Sequence, residues 1–152
     1  MSMRTMARAP FFSPVRGWTL TELLMVVAIL GILATLGIPT YQQQQRQARR
    51  SDARAALQQL QLDQARHRGS HDQFATALAE LGWASDRSPL GHYRLQLTEA
   101  TAETYVAEAL PIGPQAADTD CSPMRLAWRD TATVILSNGS DPAGDAARCW
   151  RP

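Results

Sequence analysis

The carboxylate of Glu22 stands directly before a run, residues 23–38, that carries no charge. An acid placed at the centre of a lipid bilayer costs on the order of 3 kcal/mol. Glu22 must therefore sit at headgroup level or find a cationic partner inside an apolar assembly. Cys121 and Cys149 are the only two thiols. In an extracytoplasmic domain they can pair, and the alternative is two free buried thiols. Two sulfurs with no local histidine do not make a zinc site. His67 and His71 have the i, i+4 spacing that turns two ring nitrogens to one side of a helix, but Gly69 lies between them and no third ligand is near. His67, Asp72 and Ser70 supply the residue types of a nucleophilic triad, yet nothing places the serine at a strained turn. Glu99, Glu103 and Glu108 read as solvated strand and turn residues. No catalytic residue, metal site or cofactor is assigned from these groups.

Composition narrows the function further. The chain has 152 residues, enough for one domain and little more. With 45% apolar and 19% charged residues it is not disordered as a whole. A net charge of +1 excludes a polycation that holds nucleic acid by bulk charge. All 15 basic residues are arginine, so Schiff-base chemistry and a phosphate-loop lysine are excluded.

The elements that must position Glu22 begin with a basic N-terminal stretch. Arg4, Arg8 and Arg16 lie in residues 1–17 with no acid, and Pro10 and Pro14 argue against a regular helix there. Residues 18–41 then number 24, which as a helix span roughly 36 Å, enough to cross an apolar layer of about 30 Å. Trp18 and Tyr41 stand at its ends, where interfacial aromatics are expected. Three readings compete. A cleaved secretory signal needs a small-x-small site, and Thr35-Leu36-Gly37 is a poor one. A plain signal anchor is not clearly oriented, because Arg46, Arg49, Arg50 and Arg54 follow the run while three arginines precede it. The third reading is an apolar assembly in which Glu22 meets a cation.

The residues that carry the third reading are Gly17-Trp18-Thr19-Leu20-Thr21-Glu22 and the apolar run behind them. They resemble the N-terminus of the type IV pilin superfamily: a glycine, a new N-terminal aromatic, a short stretch, and a glutamate at the fifth mature position. Gly31-Ile32-Leu33-Ala34 and Ile38-Pro39-Thr40-Tyr41 also resemble that family's helix. Two positions depart from it, since the first mature residue is usually Phe and Thr21 replaces a common aliphatic. The leader is long, with Met1, Met3 and Met6 as possible starts. The resemblance implies cleavage between Gly17 and Trp18 by a prepilin peptidase and N-methylation of Trp18. The new terminal amine and Glu22 lie four residues apart, and Glu22 of one subunit could accept the amine of another. Paired, such a charge is tolerable in an apolar bundle, and it can select the stagger between subunits.

The organisation that follows is a leader peptide at 1–17, a transmembrane and filament-core helix at 18–41, an amphipathic continuation at 42–68, and a globular head at 69–152. Gly31, Gly37 and Pro39 are the weak points of the helix; Pro39 removes the bond to the Thr35 carbonyl. The result is either a simple kink or, as the family implies, a segment that loses helicity on packing into a fibre. Ala53, Ala56, Leu57 and Leu60 recur at helical spacing as a narrow apolar stripe, and Gly69-Ser70 stops the helix. Arg46, Arg49, Arg50 and Arg54 read as a solvated face at lipid headgroups, with salt bridges between subunits next and DNA contact weakly supported. Residues 70–91 read as a long loop with one short helical turn around residues 74–81. Strand signals follow at Tyr93–Leu97, Tyr105–Leu110, Met124–Arg129 and Thr133–Leu136. Consecutive strands with short links predict an α+β fold, a long N-terminal helix packed on an antiparallel meander of about four strands.

A looser resemblance, on Cys121-Ser122-Pro123-Met124-Arg125-Leu126 and Cys149-Trp150, points to PilE-like pilins, including minor pilins. It implies that the cysteines bracket the last strand pair and a variable loop. Closing that loop of about 29 residues stabilises by roughly 3.6 kcal/mol in the chain-entropy model. Together the resemblances imply a structural subunit, not an enzyme, held in the inner membrane with its head in the periplasm and then assembled into an extracellular pilus. Its implied partners are other pilin subunits, the prepilin peptidase, the inner-membrane assembly platform, and the lipid bilayer before assembly. Motility, adhesion and DNA uptake are the family's roles. The rivals are a pseudopilin of type II secretion and a signal-anchored extracytoplasmic protein of another activity. N-terminal mass spectrometry separates them: the expected mature chain begins at Trp18, and an uncleaved chain supports the anchor. Gly17→Ala is tolerable at the junction, whereas a bulky or charged residue at 17 blocks cleavage. Normal processing of such a variant would place the site elsewhere.

Overall fold

The structure is a computed structural model that describes residues 17–129, 133–139 and 146–151. The expected leader, apart from Gly17, and the possible starts Met1, Met3 and Met6 lie outside the described residues. The chain divides into two units, residues 1–39 and residues 40–152.

The first unit holds the start of α1 (Leu20–Arg68), a helix of 49 residues that runs through both units. Every described residue of this unit is exposed. Pro39 lies inside α1 without ending it. The Thr35 hydroxyl donates to the Ile32 carbonyl at 2.7 Å, so a side chain supplements the ladder near the proline. A Cβ added at Gly31 or Gly37 would meet nothing within 4 Å. Their smallness therefore serves no packing among the described residues.

The second unit is the α+β head. Its four strands are β1 (Tyr93–Ala100), β2 (Tyr105–Pro111), β3 (Met124–Arg129) and β4 (Thr133–Asn138). They form one antiparallel sheet in the order β1-β2-β3-β4. Side chains alternate across a strand. Tyr93 and Leu95, Tyr105, Ala107 and Ala109, and Met124 and Leu126 thus share one face, and all are buried. The expected stripe of Ala53, Ala56, Leu57 and Leu60 packs into the same core, each at 0% exposure. Alanines of α1 and of β2 stand on both sides of this core. The long loop contains one 3-10 turn, Leu78–Leu81, ended by Gly82 at a φ of 81° that side chains rarely adopt.

Two expectations are corrected. The β2–β3 link is not short: it folds into 3-10 turns at Gly113–Ala117 and Thr119–Cys121. Its length serves to bring Gln115 and Asp118, both buried, against α1. Glu108 is not a solvated strand residue. It is 5% exposed, ion-paired with Arg125 on β3, and it accepts a bond from Gln96 Nε2 at 2.8 Å. The three lie opposite one another in register, so long neighbours on both flanks shield the carboxylate.

Buried polar groups of α1 fix the loops. Asp52 accepts from Ser88 Oγ at 2.6 Å, from the Leu90 amide at 3.0 Å and from the His92 amide at 3.2 Å. Gln64 exchanges two bonds of 2.9 Å with the Ala75 backbone. We predict that Asp52→Ala, which leaves three donors without their acceptor, destabilises the head by about 3 kcal/mol. Leu62→Ala, at a side chain 55% exposed, stays within about 0.5 kcal/mol. Denaturant midpoints of the two variants check the contrast, and equal midpoints would remove Asp52 as a latch.

Candidate assembly surface

Chain entry into α1 is set by a reciprocal cap. The Thr19 hydroxyl accepts from the Glu22 amide at 3.2 Å, while Glu22 Oε2 accepts from the Thr19 amide at 3.3 Å and from its hydroxyl at 3.4 Å. This is the capping box written in the sequence as Thr19-Leu20-Thr21-Glu22. The reading of Glu22 as a carboxylate in search of a cation overlooked it, although a Thr-x-x-Glu spacing before an apolar run was its signal. Glu22 also stands in the first turn, where the helix dipole favours an anion. Both cap bonds use Oε2, one of the two carboxylate oxygens.

Behind the cap the surface is apolar on every side. Leu20, Leu23, Leu24, Met25, Val27, Ile29, Leu30, Ile32, Leu33, Leu36 and Ile38 are each more than half exposed. A stretch of α1 is long and apolar enough to cross a membrane, and none of that stretch is buried. Full burial of such side chains is worth about 1.5–3 kcal/mol each. A contiguous apolar surface of this size marks an interaction site. Trp18 is 74% exposed at its start and Tyr41 is 62% exposed at its end.

The basic cluster is divided by the fold. Arg50 is not on a solvated face: it is buried, and its guanidinium donates to Asp118 at 2.7 and 2.8 Å. That hydrogen-bonded carboxylate raises the Arg50 pKa above its ordinary value, against the effect of burial. Gln115 Nε2 reaches Asp118 at 3.1 Å, Tyr93 Oη at 3.0 Å and the Arg46 carbonyl at 3.1 Å. Burial pushes the Tyr93 phenol up to about 12. Arg54 donates to the Trp150 carbonyl at 3.2 Å and to the Arg151 carbonyl, so it caps α2 (Ala146–Trp150). Arg46 and Arg49 are left partly exposed.

The same end of the chain carries the cysteines. Cys121 and Cys149 are joined in a disulfide with their Cα atoms 5.7 Å apart, and both are buried. Cys121 precedes β3 and Cys149 lies in α2 after β4. Arg148 pairs with Asp120 at 2.7 Å, and Trp150 Nε1 donates to the Ser137 carbonyl at 3.1 Å. The C-terminal segment is thereby tied to the β2–β3 link, to β4 and to α1.

The histidines do not assemble a reactive centre. His67 and His71 stack with centroids 3.9 Å apart and planes 7° from parallel. Stacked rings send their nitrogen lone pairs outward in two parallel planes rather than toward one ion. Ser70 Oγ lies 3.0 Å from His71 Nδ1, but that nitrogen also meets the His67 carbonyl at 3.0 Å. Among the described residues, no group of three or more His, Cys, Asp or Glu could hold a metal.

Two comparisons with known proteins bear on this arrangement. Residues 39–125, more than half of the chain, match a family model described as type IV minor pilin ComP, DNA uptake sequence receptor. The chain is also 34% identical over 97 residues to the type IV major pilin protein PilA of Myxococcus xanthus (strain DK1622). That alignment covers 64% of this chain and 44% of the relative, so the chain spans less than half of the relative's length. The family match begins at Pro39. It rests on the second half of α1, on β1 and β2 and on the start of β3, not on the residues around Glu22.

The capping box generates a test. Thr19→Ala removes the hydroxyl acceptor and one of the two bonds to Glu22, at a cost of about 1 kcal/mol. Amide exchange over residues 20–23 of the Thr19→Ala chain is expected to be roughly fivefold faster, with no change beyond Ile29. Unchanged exchange in the first turn would mean that the cap contributes nothing.

Proposed function

The chain belongs to the type IV pilin superfamily, and from that premise we propose that it is a structural subunit of a type IV pilus. The observation that carries the proposal is the fully exposed apolar stretch of α1, joined to a head whose sequence matches a pilin family. An isolated chain cannot leave such a surface in water. Before assembly the lipid bilayer covers it, with the subunit in the inner membrane and the head in the periplasm. In the fibre the helices of other subunits cover it. Gly31 and Gly37, which pack against nothing among the described residues, then serve contacts between helices or soften α1 together with Pro39.

Processing supplies the missing cation. Cleavage between Gly17 and Trp18 by a prepilin peptidase turns the Trp18 nitrogen into an amine, which N-methylation leaves able to carry charge. In the precursor Glu22 is held by Thr19 through one oxygen. In the assembly the carboxylate accepts the amine of a neighbouring subunit, and the inner-membrane platform adds subunits in the register that this pair selects. Position supports this role for Glu22: no other charge lies between Trp18 and Gln45. A pilus rather than a type II secretion pseudopilus is favoured by the type IV pilin family model and the type IV pilin relative that the chain matches. DNA uptake is the second reading, favoured by the words DNA uptake sequence receptor in the description of the matching family.

Substitution at Glu22 tests the assignment. Glu22→Gln protein is expected to be cleaved and inserted yet to enter fibres poorly, because the neighbour's amine is left unpaired at a cost of a few kcal/mol. Glu22→Asp should be intermediate, since its charge stays and its reach shortens. Thr19→Ala keeps the charge and should assemble. Sheared surface fibres measured against membrane-bound subunit decide the matter. Normal incorporation of Glu22→Gln would reduce Glu22 to a helix cap at headgroup level.

A further inference from the structure

The division of the basic cluster leaves two arginines whose charge the fold does not use. Arg50 is committed to Asp118 and Arg54 to the end of α2. Among the described residues, no ion pair includes Arg46 or Arg49. These two, with Gln42, Gln45 and Pro114, line a concavity of about 300 Å³. Among the described residues, no carboxylate lines it. Gln42, Gln45, Arg46 and Arg49 stand at i, i+3, i+4 and i+7, one face of α1. Pro114, from the β2–β3 link, forms the opposite wall.

A hydrogen-bond relay aims one of the arginines. Gln45 Nε2 donates to Tyr41 Oη at 2.8 Å, and Arg49 Nη2 donates to Gln45 Oε1 at 3.3 Å. The chain of contacts thus runs from Tyr41, the last aromatic of the apolar stretch, to the guanidinium two turns later. One arm of that guanidinium is held and, among the described residues, its remaining donors are left for an anion. Among the described residues, the Arg46 guanidinium makes only a 3.5 Å contact with the Ala117 carbonyl, near the limit for a hydrogen bond. Its own carbonyl is fixed by Gln115. The backbone is therefore anchored while the side chain is free to turn to a ligand.

We propose that the Arg46–Arg49 concavity binds the phosphate headgroup of an anionic phospholipid and holds the subunit at the membrane surface until it is extracted into the fibre. The inference rests on the reading of the chain as a membrane-inserted precursor. Its chemistry is that of guanidinium donors on phosphate oxygens, with two amide side chains for the glycerol hydroxyls. A membrane lipid is favoured over free phosphate or DNA by position. The four helical residues follow Tyr41 directly, where a helix leaving a bilayer meets its headgroups. Gln45, which orients Arg49, carries no charge of its own to compete with the ligand. Release of the lipid on entry into the fibre makes this contact a retention step, distinct from the apolar contact that drives assembly.

The test uses the full chain in nanodiscs of phosphatidylcholine alone or mixed with phosphatidylglycerol, with native mass spectrometry of the lipid retained on release. Wild type is expected to retain phosphatidylglycerol in preference to phosphatidylcholine. The Arg46→Gln/Arg49→Gln chain should lose that preference about 25-fold, two arginines at a membrane surface contributing about 1 kcal/mol each. Gln45→Glu, which offers Arg49 an internal anion, should lose most of it without removing either arginine. Arg87→Gln, at an exposed arginine elsewhere on the head, should change nothing. Thermal midpoints of all variants report whether the head stays folded. Displacement of the lipid by inorganic phosphate would overturn the lipid assignment. So would loss of duplex-DNA binding by the double variant with phosphatidylglycerol retention intact. Equal retention of the two lipids by wild type would overturn the site while leaving the membrane reading in place. Failure of the chain to insert would overturn both.

Discussion

The buried contact between Arg50 and Asp118 is the joint on which the head depends. It reaches from the middle of α1 to a link 68 residues further along the chain. A buried ion pair is seldom a net source of stability, because both ions lose their water. It does penalise every arrangement in which either partner is left alone. Asp118 can be satisfied only if the β2–β3 link lies against α1 at this level. Once it does, Gln115 closes onto Tyr93 and onto the helix backbone. Asp52 and Gln64 act in the same way on the loops before β1. The apolar stripe supplies cohesion. These polar groups set which loop lies where along it.

The first unit of the chain shows the opposite condition. Its start is capped, and its described residues are all exposed. An element of this kind is complete as a helix and incomplete as a surface, which is the physical form that the proposed passage from lipid to fibre requires. On the proposed reading, the cap gives Glu22 an interim occupation that a neighbour's amine takes over, since exposed hydrogen bonds exchange at little net cost. A carboxylate buried with firmer partners could not change them so readily.

The arginines show how one sequence run can serve several ends. Arg46, Arg49, Arg50 and Arg54 lie within nine residues and are alike in type. Helical geometry spreads them around α1, and what faces each one decides its use. One meets a buried aspartate, one meets the carbonyl end of α2, and two meet an open concavity. The cluster therefore has no single function, and its net charge is a poor guide to its partners.

Much was legible in the sequence because the signals were local and periodic. A run without charge, a one-sided stripe of Ala53, Ala56, Leu57 and Leu60, and strands that alternate at period two determined a long helix on an antiparallel sheet. The motif around Glu22 and the two cysteines pointed to the family. The capping box was legible too, being a matter of three-residue spacing, and was passed over in favour of a longer-range role for Glu22. What only the tertiary structure decided is the fate of polar residues whose partners lie far along the chain. Arg50 and Asp118, or Glu108 and Arg125, carry no mark of their meeting, because a charged residue looks the same in sequence whether solvent or an opposite charge awaits it. Hydrophobic pattern states which side of an element is inside. It does not state which polar group on the boundary will be drawn in, since that depends on the loop that happens to close over it.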